Sequence, residues 1–576
     1  MSITLFTLDF WLFAVMIFKM RLFISFCLLI AATLIIGSCS KSDNSELIKT
    51  WKKSGTVGGT NIEYPFEGAL FPPEIIPPTF IWKEPGTKAG LWLVVLEIGG
   101  EIEHSDTVMN RLEWKPPKEL WERVKANSKD KDATFSVAGF KIEDKSKVVA
   151  AASVSFRTSN DRVGAPIFYR AVPLPFIYAV NNVEQITWRL GDISSDKEPT
   201  VALGNMPVCA NCHSFSSDGK FIGMDVDYAN DKGSYMIAGI ENQIEMSVDK
   251  IVSWNDFRRE DRRKTFGLLS QLSPDGRYAV STVKDRSIFV PVNNLFYSQL
   301  FFPIRGILSV YDRVEKSFSA LSGADNPAFC QSNPSWSPDG KYIIFAKAPV
   351  YNSPEVEKSN KVVLPTSVAK DFIEGRTEYK YDLYKIPFNS GKGGNPEPLQ
   401  GASGNGMSNY FARYSPDGKW IVFTQSKSFM LLQPDSKLYI MPASGGSPRL
   451  MKCNTGSMNS WHSWSPNGKW LVFSSKARGP YTQLYLTHID ENGNDSPPVL
   501  LEGLSLPNLA ANIPEFVNIP ESDRFSLSEN FMQAEYYADV RGLAKAKSGD
   551  FKGALAELSK SIEQNPYNAQ SYIERG

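Results

Sequence analysis

Charge of either sign in excess is what the chain lacks first: Lys plus Arg and Asp plus Glu each number 62 over 576 residues. That balance removes any electrostatic reason to invoke nucleic acid or an acidic surface as partner. Histidine is scarce at four residues and cysteine at six, so metal or redox chemistry must draw on very few side chains. No Gly-x-Ser-x-Gly elbow, paired carboxylates or phosphate-cradling glycine loop stands out, and whether the chain is an enzyme stays open. Aromatics at 12%, with 37 Pro and 41 Gly, favour a mainly β, turn-rich chain over helical bundles. The length predicts roughly three or four structural units.

The first 39 residues read as a leader. Residues 20–44 open on Arg21, run through an apolar stretch and reach Ile36-Gly37-Ser38-Cys39, which resembles the lipobox of bacterial lipoprotein signal peptides. The resemblance implies cleavage before Cys39, lipidation of its thiol and an envelope protein held at the outer membrane by lipid alone. A membrane anchor over 5–36 is the competing reading, interrupted by Asp9, Lys19 and Arg21. Residues 40–60 are polar and glycine-rich, as a tether would be.

Short β-like runs follow at 79–82, 91–98, 133–142 and 148–159, with a helical stretch at 114–126. Their lengths and turns predict a β-sandwich over 61–160, similar to fibronectin type III or immunoglobulin domains. From residue 200 a turn repeats: FSSDGKFI, LSPDGRYAV, WSPDGKYIIF, YSPDGKWIVF and WSPNGKWLVF, with glycines at 219, 276, 340, 418 and 468. Steps of 57, 64, 78 and 50 residues, each unit with a second strand pair, are what a four-stranded propeller blade requires. A sixth blade can be built from 166–176 and a late strand near 512–519. Over 161–525 the pattern thus predicts six blades, with five as the alternative.

This repeat resembles the TolB-like family of bacterial WD-like β-propellers, marked by the same Ser-Pro-Asp-Gly-Lys turn. The resemblance implies the fold and little of the chemistry, since that repeat serves binding, scaffolding and gating roles. Residues 526–576 change period. Gly549, Phe551, Ala554, Leu555, Leu558, Ile562 and Pro566 match a tetratricopeptide unit, against the plainer reading of an amphipathic closing helix. One unit cannot bury a solenoid core, so the tail is expected to pack on the propeller unless the repeat continues beyond residue 576.

Cys209-Ala210-Asn211-Cys212-His213 matches C-x-x-C-H, the attachment signature of c-type cytochromes. Two thiols at this spacing reach the two vinyl groups on one edge of a porphyrin, and the adjacent imidazole becomes an axial ligand. The expectation is one covalent haem c on Cys209 and Cys212 with His213 on the iron. Zinc lacks a second ligand pair, since Cys330 and Cys453 are remote, and a thioredoxin-like site lacks its βαβ setting. A plain disulfide remains the main competitor.

For the sixth position, aligning the turn glycines lays His213 over His462, six residues before glycine in each case, where the other repeats carry Ser270, Pro334 and Ala412. His462 is the expected distal ligand, with Met224 the alternative and Met206 a third. The run 254–267 holds Arg258, Arg259, Arg262, Arg263 and Lys264 and reads either as a partner for propionates or as a solvated loop. The insertion at 349–381 is expected to be a polar loop.

Three functions remain from this reading: electron transfer or redox sensing by a haem lipoprotein, a non-redox scaffold docking envelope proteins through propeller and tail, and an enzyme with open-coordinate haem.

Overall fold

The computed structural model describes residues 44–576 apart from positions 56, 84–85, 87–88, 229–230, 268, 292–293, 298, 360, 365, 533, 548, 565 and 568. The leader and the Cys39 lipid site lie outside the described residues. The chain is mainly β. Among the described residues, no helix is long and apolar enough to cross a membrane.

Two sheets occupy the region before the repeats. Ala69–Phe71, Val148–Thr158, Ala133–Phe140, Leu91–Ile98 and Glu101–Met109 form one of five strands; Asn61–Tyr64, Phe80–Lys83 and Glu113–Trp114 form one of three. Leu91–Ile98 is apolar on both faces because both are covered. Trp92, Val94 and Leu96 meet the smaller sheet, with Trp82 and Trp92 centroids 5.7 Å apart and Phe80 and Phe135 4.3 Å apart. Leu91, Leu93 and Val95 meet Leu47, Ile48 and Trp51, which lie on the helix Ser45–Lys53. The stretch read as a plain tether therefore carries an amphipathic helix whose apolar stripe shields the outer face of a sheet. The second helix, Lys118–Asn127, begins after Pro117 and buries Leu120, Trp121 and Val124, and Trp121 Nε1 donates to the Ile75 carbonyl at 3.1 Å.

The repeats build antiparallel sheets whose strands follow one another in sequence. Sheet 1 runs Leu509–Phe516, Ile167–Pro173, Thr187–Gly191, Thr200–Leu203, so its first strand comes from the far end of the repeat region. Sheet 2 runs Ala210–Phe215, Phe221–Tyr228, Asp231–Gly239, Ile251–Ser253. Sheet 3 has nine strands, a chain of pairings from Gln271–Leu272 to Glu397–Pro398; the strands Gln299–Asp312 and Phe329–Trp336 of its two halves are bridged at Gly306 and Cys330. Sheet 4 runs Ser408–Tyr414, Trp420–Ser426, Lys437–Pro442, Arg449–Leu450, and sheet 5 Asn459–Trp464, Trp470–Ser475, Gln483–His488, Val499–Leu500. This succession of up-and-down sheets is a β-propeller.

The conserved-looking turn has a local cause within each copy. In all five copies the serine hydroxyl donates to the Asp or Asn two residues on, at 2.5–2.7 Å, and accepts the amide five residues on. Glycine follows with φ of 68–72°, a conformation that costs an L residue about 1 kcal/mol. The insertion at 349–381 departs from expectation. It holds two helices, Pro354–Lys358 and Thr366–Ile373, and the strand Val363–Leu364 paired to sheet 3, because Val356, Ala369 and Phe372 bury against the propeller.

Three helices end the chain: Ala534–Lys547, Phe551–Gln564 and Ala569–Arg575. The first two cross at Gly542, where a Cβ would stand 2.6 Å from Leu558 Cγ.

Not every turn glycine is equally demanding. A Cβ on Gly219 would meet the Asn518 carbonyl oxygen at 2.1 Å, whereas on Gly340 the nearest atom is Pro274 Cδ at 4.0 Å. Gly340→Ala is expected to cost about 1 kcal/mol and Gly219→Ala about 3 kcal/mol in urea denaturation; equal costs would contradict the packing of sheet 2 against the segment at Asn518.

Candidate functional site

The site begins with a fault in a strand. In sheet 2, Ala210 stands opposite Val226 and His213 opposite Met224, so Asn211 and Cys212 share the single partner Asp225. In a regular strand residues three apart face opposite ways. The extra residue of this bulge returns Cys212 to the face already taken by Cys209 and sends Ala210 and His213 together to the other.

The same bulge recurs around the ring. Register shifts fall at Ser332/Ser335, Tyr410/Arg413, Ser460/His462 and Asn512/Glu515. Leu269, Asn333, Phe411 and Trp461, each seven residues before its turn glycine, have φ of 70°, 52°, 53° and 39°. Ile513 in the closing strand has φ of 53°. Cys212 occupies the equivalent position in its own repeat. Bulky residues hold this left-handed backbone only under constraint. Cys212, Leu269, Phe411, Trp461 and Ile513 belong to one apolar cluster, the lining of the ring's centre.

Against that lining lies a cavity of about 820 Å³. Cys209, Cys212 and Asn211 form one wall; Leu269, Trp461 and Ile513 add apolar surface, and Tyr537, Val540 and Arg541 of the first tail helix cover it. Its volume is that of an ordinary cofactor or ligand site. Arg170 completes it. Its strand, Ile167–Pro173, is otherwise apolar, and the guanidinium is 4% exposed, 5.5 Å over the Trp188 ring, with Nε and Nη2 lacking hydrogen-bond partners. Arg170 escaped the sequence reading, although a single charge inside the run IFYRAVP was a visible signal.

The residues nominated for the iron stand elsewhere. His213 does not line the cavity; it is 1% exposed, its ring 4.7 Å from Phe168 and edge-on to it, between sheets 1 and 2. Neither ring nitrogen has a hydrogen-bond partner of ordinary geometry. Burial pushes its pKa down to about 3, the backbone at Ile513 offsetting little of this. His462 repeats the arrangement two sheets earlier in the ring, its Nε2 3.1 Å from the Val422 carbonyl, and burial likewise pushes it down to about 3. The two imidazoles are equivalent in their repeats, as the alignment predicts, yet each faces its preceding sheet and they are not brought together. Met224 lies directly across from His213 and is fully buried in the same inter-sheet core as Met206. Sequence alignment found the right height and missed the side, because the bulge one residue earlier inverts the facing.

Asp225, opposite the bulge, is 2% exposed; burial raises its carboxyl well above the usual range, and the neighbouring Ser270 and Leu269 amide offset part of that. Burial, then the nearby Asp225, pushes the Cys212 thiol up. None of the four described cysteines is joined in a disulfide, and Cys330 donates to the Pro303 carbonyl rather than facing Cys453. Among the described residues, no group of three or more His, Cys, Asp or Glu is placed to hold a metal ion. The arginines at 258, 259, 262 and 263 are exposed and line no part of the cavity.

Fit to a c-type haem is therefore divided. The paired thiols, the apolar walls and a buried cation suit a flat apolar group bearing acid substituents; the axial imidazole of the signature is on the wrong face.

No family model matches the chain, and no curated protein matches it. Solved structures similar to it include TolB from Acinetobacter baumannii (TM-score 0.37, 13% identity, covering 68% of this chain and 80% of that one). Kuenenia stuttgartiensis hydrazine synthase is another (0.29, 14%, 54% and 72%), as is the periplasmic gluconolactonase of Pseudomonas aeruginosa (0.32, 14%, 59% and 84%). At these scores the likeness carries no chemical argument, and the propeller assignment rests on the strand pairing itself.

The buried imidazoles set a pH dependence. A depressed histidine pKa gives stability that is full above pH 6.5 and is lost as pH falls toward 3. Asp285, pushed up to about 6 by burial, acts in the opposite sense between about pH 6 and 4. Comparing a variant isolates one group. From pH 7 to 5 each imidazole withdraws about 2 kcal/mol, so His462→Gln should lose about 2 kcal/mol less than the parent over that interval in urea denaturation. Equal losses would mean that the ring titrates in the fold as it does in the unfolded chain.

Proposed function

We propose that the chain is an envelope lipoprotein, anchored through Cys39, whose propeller carries one covalent c-type haem on Cys209 and Cys212 and serves electron transfer or redox sensing. One observation carries this reading: the bulge at Asn211–Cys212 turns both thiols of the C-x-x-C pair into a single apolar cavity. Two cysteines retained only for a disulfide have no need of 820 Å³ of space beside them. Bound there, the haem supplies one-electron chemistry at its iron. The chain's own residues hold the ring by two thioethers, exclude water with Leu269, Trp461 and Ile513, and cover the opening with the first tail helix. No axial ligand is assigned from this chain, since His213, His462 and Met224 all stand off the cavity.

The same reading takes the ring as six-bladed, with sheet 3 contributing two blades and sheet 1 closing the circle, and takes the two sheets over 61–160 as a fibronectin-like sandwich. The tail is read as a tetratricopeptide unit. Its exposed apolar residues, Phe551 at 69% and Ile573 at 71%, favour a second role in docking envelope proteins, which is also what the chain would do if it carried no haem.

Expression with its leader in a host competent for haem attachment decides between them. A pyridine haemochrome spectrum with one haem per chain, and an intact mass increased by one porphyrin, are expected. Cys209→Ala and Cys212→Ala should each leave a single thioether, and the double variant none. An unchanged mass with the two sulfurs joined as a disulfide would leave only the docking role.

A further inference from the structure

Three propeller strands each carry a wholly or partly buried guanidinium, Arg170, Arg189 and Arg413, and the fold treats them differently. Arg413 is satisfied: Nη2 reaches Glu515 at 2.7 Å and Nη1 reaches Gln271 at 2.6 Å. Arg189, in the strand beside Arg170, likewise reaches Glu198 at 2.6 Å and the Pro199 carbonyl at 3.1 Å. Arg170 is more deeply buried than Arg189, at 4% against 8% exposure, yet its Nε and Nη2 bond to nothing. A buried guanidinium without a partner is strongly unfavourable and persists where something else completes it.

What completes it has to come from the cavity. Arg170 lines the wall that holds Cys209, Cys212 and Asn512, and Asn512, its partner across the closing strand, already accepts the Thr482 hydroxyl at 2.6 Å. Trp188 beneath the guanidinium fixes its plane and supplies no acceptor. A planar cation whose adjacent Nε and Nη2 lack partners, on a residue that lines the cavity, has the shape for a two-point contact with a carboxylate.

We propose that Arg170 is a carboxylate receptor: it binds an acid group of the molecule that occupies the cavity, while the thiols stand at the neighbouring wall. This deepens the haem reading, on which the expected source, a porphyrin propionate, rests; a free small carboxylate is the other source of the same chemistry. The acid group gives the guanidinium its missing partner and fixes which edge of the ring faces sheet 1, leaving the opposite edge for Cys209 and Cys212.

The test uses the full chain prepared without haem maturation and three probes: metal-free protoporphyrin IX, its dimethyl ester, and benzoate. Tryptophan quenching reports the porphyrins and thermal melting reports benzoate. The parent protein should bind the diacid about tenfold more tightly than the ester. Arg170→Met should lose that preference while binding the ester as the parent does, which also shows that the variant is folded. Benzoate-dependent stabilisation that disappears in Arg170→Met, without any porphyrin preference, supports the receptor, assigns it to a free carboxylate and counts against haem. A parent protein that neither distinguishes acid from ester nor responds to benzoate overturns the proposal, and that result needs no variant. Covalent haem formed on maturation together with no acid preference would overturn the receptor while leaving the haem reading intact.

Discussion

One extra residue in the innermost strand governs the rest of the molecule's centre. A strand alternates its side chains strictly, so the thiols of a C-x-x-C pair on a regular strand would point to opposite sides and share nothing. The bulge opposite Asp225 breaks the alternation once, and that single slip decides which side chains see the cavity and which see the neighbouring sheet. Because the slip recurs at the same distance from each turn, the ring acquires a collar of side chains at one level, from Cys212 through Leu269, Phe411 and Trp461 to Ile513. The left-handed backbone at Leu269, Phe411, Trp461 and Ile513 is held by the hydrogen-bonded turns and packed sheets on either side.

Much of the fold was legible. The turn sequence carries its own mechanism, a serine bridged to Asp or Asn ahead of a left-handed glycine, so five copies announced five hairpins. Ring closure was readable as well: the late strand near 512–519 does pair with the early run at 166–176, through Asn512 opposite Arg170 and Phe516 opposite Ile167. The tether and the blade insertion were less legible because each was judged by polarity over its whole length. Leu47, Ile48 and Trp51 in one, and Val356, Ala369 and Phe372 in the other, are few but fall on one face, and one buried face is enough to order a short helix.

The site was half legible. Spacing drew attention to Cys209 and Cys212, and both line one cavity. It placed His213 beside them by adjacency in sequence, and adjacency along a strand means the opposite face. His462 illustrates the same error: correct repeat position, with the ring turned to the Val422 carbonyl. Arg170 was passed over because a search for metal ligands and nucleophiles does not look for a cation inside an apolar strand, although burial of that charge is the costlier feature.

Sheet 1 has a bearing on how the molecule is made. Its closing-strand contribution to the cavity, Asn512 and Ile513, is translated about 340 residues after Arg170, and the helix bearing Tyr537 and Val540 emerges later still. The chamber accordingly cannot be complete until this closing strand and this helix are in place. Until they dock, the thiols and the guanidinium line an open gap between unfinished sheets. The connectivity of the chain thus ties completion of the cavity to the segments that close the ring.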